Sequence, residues 1–333
     1  MEELIAAMMK PETYDEKVEN IRMIQTHISW IFLTGNFVYK IKKPVNFGFA
    51  DFSTLEKRKF FCEKELELNK RLCKDIYLEV VPITESDSKI KIKGNGKTID
   101  YAVKMKELPQ ECKMDRLLEK NKIDKKIIEE IAKTIADFHS KAETNEKISK
   151  YGSIENIKFI LDENFSQTVD FIGKTIDRNQ FDFIKQKVED FISNNTELFE
   201  KRIAEGKIRD CHGDLHSANI FVADKIYIFD CVEFNERYRC SDVILDIAFL
   251  TMDLDFHGMQ ELSNYFVEKY FSFSSDSELF KLLNFYECWR AYVRGKVNSL
   301  KLNIPNINKT EKEAIEKLAR KYFDLSYRYA AEF

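Results

Sequence analysis

The sequence predicts an α+β protein in two parts, a β-rich N-terminal unit over residues 1–108 and a mainly helical unit over residues 109–333. Three observations predict it. β-type runs bounded by turn residues crowd the first hundred positions. Past Pro109, apolar residues recur every three or four positions with one short exception. A chain of 333 residues, 44% of them hydrophobic, is long enough for two core-bearing units.

The elements follow in order. Ile28–Leu33 and Phe37–Ile41 flank Thr34-Gly35-Asn36, the pattern of a β-hairpin with Lys40 inside its second strand. From Ser53 or Thr54, either of which can cap a helix, Leu55, Phe60 or Phe61, Leu66, Leu68 and Leu72 recur at helical intervals among Glu and Lys. Ile76–Val81, Lys89–Lys93 and Ile99–Met105 read as three further strands, the last two separated by Gly94-Asn95-Gly96. Behind Asp124, Ile128, Ile131, Ile135 and Phe138 mark a helix; Phe181, Ile184, Val188, Phe191 and Ile192 mark another. The exception is Asn219–Asp230, a hairpin-like stretch enclosed by helical regions.

Composition excludes several classes. Fifty-three Lys and Arg against 57 Asp and Glu give a net charge of −4, with no surplus for a phosphate backbone, so no nucleic-acid partner is expected. The seven cysteines form no Cys-x-x-Cys pair and read as reduced thiols. Met1–Lys10 lacks a basic stretch and makes a poor secretory signal. Val243–Leu254, the longest mostly apolar run, is interrupted by Asp246 and Asp253, so no membrane span is expected. A cytoplasmic protein is the expectation.

The chemistry concentrates in His212-Gly-Asp-Leu-His-Ser-Ala-Asn219, which has the H-x-D-L-x-x-x-N form of a kinase catalytic loop with Gly213 at the usual Arg position. A turn at Asp224-Lys225 would set Asn219 opposite Asp230 across the hairpin. An amide oxygen and a carboxylate so opposed suit a hard cation, Mg2+ carrying nucleotide phosphates. Asp214 is then the group to accept a hydroxyl proton from a phosphoryl acceptor. Two other patterns compete. Gly173-Lys174-Thr175 ends like a P-loop but has Thr168 where the first Gly belongs, and His212, Asp214 and His216 are all metal-ligand types.

The catalytic stretch, with Ile228–Phe234, Asp242–Leu250 and Asp137-Phe-His139, resembles the aminoglycoside phosphotransferase and choline-kinase-like branch of the two-lobed protein-kinase-like fold. Thr26–Trp30, Tyr39–Pro44, Asp51–Glu56 and Phe234-Asn235 are similar to a bacterial subfamily of kinase-like proteins, some fused to a P-loop module. The resemblance implies ATP, with GTP as the alternative, and Mg2+ as cofactors. It implies that Lys40 approaches the phosphates and that Glu65, with Glu63 and Glu67 as rivals, holds Lys40. It also implies that Asp214 and His212 are catalytic, that Asn219 and Asp230 bind metal with Glu233 assisting metal or substrate, and that Ser29 donates to a phosphate. The base is expected on Met105–Leu108, including Glu107, and Asp246 or Asp242 supports the catalytic loop.

The implied acceptor is a hydroxyl on a small polar molecule. Asp253 and Asp255 point to cationic amines, whereas Arg290 and Arg294, four residues apart, point to an anion. The phosphate turn lacks Gly-x-Gly-x-x-Gly, which keeps a second reading open, a nucleotide-binding regulatory module with little catalysis.

Overall fold

The computed structural model describes residues 2–304 and 307–333; Met1, within the segment read above for a secretory signal, lies outside them. The chain packs as two compact units, Met1–Lys113 with Asn219–Glu236, and Met114–Ala218 with Arg237–Phe333.

The first unit is built on a six-stranded antiparallel sheet of β1 (Arg22–Gln25), β2 (Ser29–Leu33), β3 (Phe37–Lys42), β4 (Tyr77–Ser86), β5 (Lys89–Ile92) and β6 (Lys97–Lys106), in the order β1-β2-β3-β6-β4-β5. Alternation along β3 divides its side chains between two cores, because successive residues point to opposite faces. Tyr39 and Ile41 pack with Trp30, Phe32, Val81 and Ile83 under an N-terminal cover of Leu4, Met8, Tyr14 and Val18. Val38 packs on the other face with Val103, Met105 and residues of the helix Leu55–Cys73. Thr54 caps that helix, its Oγ1 accepting the Lys57 N–H at 3.3 Å.

A hairpin of β8 (Ile220–Val222) and β9 (Ile226–Ile228) joins this unit because Phe221 and Tyr227 bury their rings in the same core as Val38 and Val103. The continuous division at residue 108 expected from sequence therefore differs from the packing, which gives this hairpin to the sheet.

In the second unit the helix Lys125–Lys141 is capped by Asp124 and buries Ile128, Ile131 and Ile135, while Arg178–Asn194 buries Phe181, Ile184, Val188 and Ile192. At its centre lies Val243–Phe256, buried on every side from Val243 to Leu254, as expected for a helix apolar all round. Two strands, β7 (Ile208–Asp210) and β10 (Cys240–Asp242), pair antiparallel beside it, and β7 leads into the His212–Asn219 loop. The long helices Leu279–Leu300 and Lys309–Ala330 pack through Gly295, where an added Cβ would come within 2.9 Å of the Phe323 ring. Among the described residues no helix is long and apolar enough to cross a membrane.

Candidate functional site

In the first unit, Lys40 and Lys42 lie two residues apart on β3 and so share a face, the face that meets Glu65. Glu65 is completely buried. Its Oε1 lies 2.8 Å from Lys40 Nζ and its Oε2 lies 2.8 Å from Lys42 Nζ. Burial pushes the Glu65 carboxyl up, but the two ammonium groups outweigh it and hold the group down at about 2. Glu63 and Glu67, the sequence rivals, pair instead with Lys59 and Lys64 on the exposed side of the helix.

Lys40 Nζ also lies 2.5 Å from Asp230 Oδ1, and Lys42 Nζ contacts Glu233 Oε1. Glu233, expected to assist metal or substrate, is thus the buried counter-ion of a lysine. Asp230 remains 41% exposed at its side chain and has a left-handed backbone, φ 64°. Its N–H reaches the Tyr77 hydroxyl at 3.3 Å, and the next N–H, of Cys231, donates to Asn69 Oδ1 at 2.9 Å.

The hairpin register differs by one residue from the expected one. Ile220 pairs with Ile228 and Val222 with Ile226, leaving a three-residue turn Ala223–Lys225 in which the Ala223 N–H donates to the Lys225 carbonyl. Asn219 therefore opposes Phe229, whose N–H donates to the Asn219 carbonyl at 3.0 Å, and not Asp230. A one-residue slip moves a side chain to the other face of a ladder, and the left-handed turn at Asp230 re-aims its carboxylate.

Ser29, expected to donate to a phosphate, lies inside the sheet edge. It is fully buried at the start of β2, and its N–H donates to Thr26 Oγ1 at 2.9 Å. Met105 is a core residue of β6, with Leu108 packed against the same cluster. The Glu107 carboxylate accepts the Gly35 N–H at 2.8 Å and pairs with Arg22 at 3.2 Å, so its side chain fastens the β2–β3 turn.

In the second unit, Asp246 holds the His212–Asn219 loop. Its Oδ2 accepts the His212 N–H at 3.0 Å and its Oδ1 accepts the Gly213 N–H at 2.8 Å, with His139 Nε2 at 3.1 Å from Oδ2. Gly213, φ 84°, supplies the left-handed residue that lets two successive N–H groups meet one carboxylate. Asp242, the rival, instead takes the buried Arg202 guanidinium with both oxygens at 2.7 Å.

The buried ring of His212 accepts the Asp214 N–H on Nδ1 at 3.3 Å, which makes it a support for Asp214. Asp214 keeps 36% of its side chain exposed, with His216 Nε2 at 3.4 Å from Oδ2. Burial works against its ionisation; His216, Arg294 and His212 outweigh that and hold the carboxyl well below the usual range.

Asp253, two turns beyond Asp246 on the same face, accepts the Ser217 N–H at 2.9 Å and its hydroxyl at 2.5 Å. It is a loop holder that sequence reasoning assigned to amine attraction; the signal was its seven-residue spacing from Asp246 inside an apolar run. Asp255 is taken by the Tyr329 hydroxyl at 2.5 Å. Arg290 donates to the Leu245 carbonyl and lies over the Phe249 ring, and Arg294 donates to Tyr322. Among the described residues, three metal-ligand types come within mutual reach at His139, Cys211 and Asp246, all buried, and not at His212, Asp214 and His216. The P-loop-like Thr175 is buried against Ser299 Oγ at 2.7 Å.

An antiparallel sheet crossed by one helix, a mostly helical second unit and a catalytic-type loop held by a buried aspartate together define the two-lobed protein-kinase-like α+β fold. It is the fold of the aminoglycoside phosphotransferase and choline-kinase-like proteins. Among solved structures, the chain is similar to an amicoumacin kinase in complex with AMP-PNP, Ca2+ and Ami, at a TM-score of 0.56 and 11% identity, covering 96% of this chain and 92% of that one. It is also similar to a choline/ethanolamine kinase family protein from Mesorhizobium loti, at a TM-score of 0.53 and 9% identity, covering 95% and 93%. By sequence it is 31% identical over 290 residues to uncharacterized proteins of Mycobacterium tuberculosis and Mycobacterium bovis, which covers 87% of this chain. The chain spans 56% of the length of these curated relatives. No family model matches it.

Proposed function

We propose that the chain is an ATP- and Mg2+-dependent phosphotransferase that moves the γ-phosphoryl group to a hydroxyl of a small polar acceptor. The observation that carries this reading is the buried Lys40–Glu65 pair ending on a half-exposed Asp230. A lysine fixed by a buried glutamate and set against an exposed carboxylate is the arrangement that phosphate and metal together require.

The donor chemistry fits the metal. Asp230 and Asn219 offer a carboxylate and an amide oxygen, hard ligands that suit Mg2+ over a thiolate-seeking ion. Bound there, Mg2+ would supply neutralisation of the phosphate charge. Lys40 exchanges Asp230 for phosphate oxygens, and Glu65 keeps the ammonium charged and aimed. Asp214, ionised and partly exposed, accepts the proton of the acceptor hydroxyl, while the His212 ring holds its N–H and Asp246 holds the His212 and Gly213 N–H groups that precede it. The base would meet the backbone groups of Met105–Leu108 that remain open, since the Lys106 N–H donates to the Ile76 carbonyl, the Glu107 N–H to the Asn36 carbonyl, and the Glu107 side chain is committed to the β2–β3 turn. The complex of the similar amicoumacin kinase with AMP-PNP and Ca2+ supports the use of a nucleotide with a divalent ion.

Calorimetric titration of ATP and GTP, with and without Mg2+, against wild type and Asp230→Ala tests the proposal. Metal-dependent binding that disappears in Asp230→Ala supports it and justifies a screen of hydroxyl acceptors. A wild type that binds neither nucleotide overturns it. Tight Mg·ATP binding with no transfer to any acceptor or to water favours the regulatory reading that the glycine-poor phosphate turn left open.

A further inference from the structure

Glu65 is shared by two lysines whose surroundings differ. Lys40 stands at the rim, its side chain 10% exposed, and its second partner is the 41% exposed Asp230. Lys42 is sealed: its side chain and that of Glu65 are 0% exposed, its second partner Glu233 is 4% exposed, and its Nζ lies 4.9 Å from the centre of the Phe52 ring.

If Lys40 were the sole partner of Glu65, turning its ammonium towards a phosphate would strand a fully buried carboxylate. Such a group is strongly destabilising when its partner departs. The second oxygen of Glu65, however, remains 2.8 Å from Lys42, which has no exposed partner to compete for it.

We propose that Lys42 is a positioning residue, the resident counter-ion of Glu65 that lets Lys40 leave for the nucleotide phosphates. Its contact with Glu233 does a second, related thing. Asp230-Cys-Val-Glu233 is gripped at one end by Lys40 and at the other by Lys42, and between them the Cys231 N–H is fixed by Asn69 and the Asp230 N–H by Tyr77. When Lys40 departs, the holds by Lys42, Asn69 and Tyr77 remain, with Arg71 donating to Cys231 Sγ at 3.3 Å, so Asp230 keeps its aim. Cys231-Val232 stand where a Phe-Gly pair would swing in and out, and the segment is held without one.

This inference rests on the phosphotransferase reading, and the experiment separates the two. Mg·ATP is titrated calorimetrically into wild type, Lys42→Met, Glu65→Gln and Lys42→Met/Glu65→Gln, each first checked for folding by circular dichroism. With Glu65 charged, Lys42→Met should weaken Mg·ATP binding by about tenfold, because Lys40 is then retained by Glu65. In the Glu65→Gln background the same substitution should cost less than about threefold, since the Glu65 charge that would retain Lys40 is already gone. A merely structural lysine would cost the same in both backgrounds, and that result overturns the inference while leaving the phosphotransferase reading intact. Absence of binding in wild type overturns the reading itself and the inference with it. Should Lys42→Met fail to fold, Lys42→Met/Glu233→Gln, which removes the ion pair as a unit, takes its place in the same cycle with the same expected values.

Discussion

Asp246 offers the sharpest test of how the His212–Asn219 loop is held. It is 0% exposed, and removing its side chain strands the His212 and Gly213 N–H groups and the His139 ring nitrogen in the interior. A hydrogen bond to a charged group contributes about 1.5–3 kcal/mol, and stranding buried donors costs their full desolvation, so Asp246→Ala should lose about 3–5 kcal/mol. Asp246→Asn keeps the shape but sets an amide N–H2 against a backbone N–H, and should lose about 2 kcal/mol. Burial pushes the carboxyl up, yet His139 and the loop donors outweigh it and hold the folded group at about 2, against 3.8 in a free side chain.

A depressed carboxyl contributes stability that is fully present above the unfolded pKa, near pH 4, and is lost as pH falls towards 2. The loss across that window is about 2 kcal/mol, at about 1.4 kcal/mol per pH unit of displacement. The chain has two tryptophans, Trp30 in the first unit and Trp289 in the second. In a Trp30→Phe background, Trp289 fluorescence during urea denaturation therefore reports on the second unit. Wild type should lose about 2 kcal/mol more between pH 4 and pH 2 than Asp246→Asn does. A midpoint shift for Asp246→Ala worth less than about 1 kcal/mol at neutral pH would refute the claim that this carboxylate holds the loop.

Two further outcomes follow from the same geometry. Asp214→Asn should leave Mg·ATP affinity unchanged and lower phosphoryl transfer by about 10²–10⁴ in a coupled turnover assay; undiminished turnover would remove Asp214 from the proton-transfer step. Gly295→Ala would normally stabilise a helix, but its Cβ would stand 2.8–2.9 Å from atoms of the Phe323 ring, so thermal unfolding followed at Trp289 should show a net loss of about 1–3 kcal/mol. An unchanged or raised midpoint would mean that these two helices have room to separate.

Much of this was legible in the sequence where side-chain spacing and backbone geometry coincide. The β2–β3 hairpin, the Thr54 cap and the buried faces at Ile128–Ile135 and Phe181–Ile192 follow directly from period-two and period-3.6 patterns. β1 did not show itself, because Arg22-Met-Ile-Gln25 is exposed throughout and has no buried alternation to reveal it. The β8–β9 register slipped because Asp224-Lys225 reads as a two-residue turn, whereas the backbone closes around three. Lys42 was missed since a lysine on a strand reads as a solvent-facing position. Only its two-residue offset from Lys40 signalled the shared face. The burial of Ser29 was hidden for the converse reason, a polar residue near a turn that the strand takes inside.

The charges follow one rule in both units. In the first, Glu65 and Glu233 are buried and held by lysines, and the carboxylate that stays half exposed is Asp230. In the second, Asp246 and Asp253 are buried and held by the loop's own N–H and hydroxyl groups, and the carboxylate that stays partly exposed is Asp214. Burying a charge is tolerated only where it is paired or hydrogen-bonded, so the inner acids of the first unit are paired with lysines, those of the second hold loop N–H groups, and Asp230 and Asp214 keep carboxylate surface able to meet another molecule. These two acids are the ones to which the proposed phosphoryl transfer assigns a task, metal for Asp230 and a proton for Asp214. Substitutions at the inner acids should therefore act first on stability, and substitutions at the two outer acids on binding and turnover.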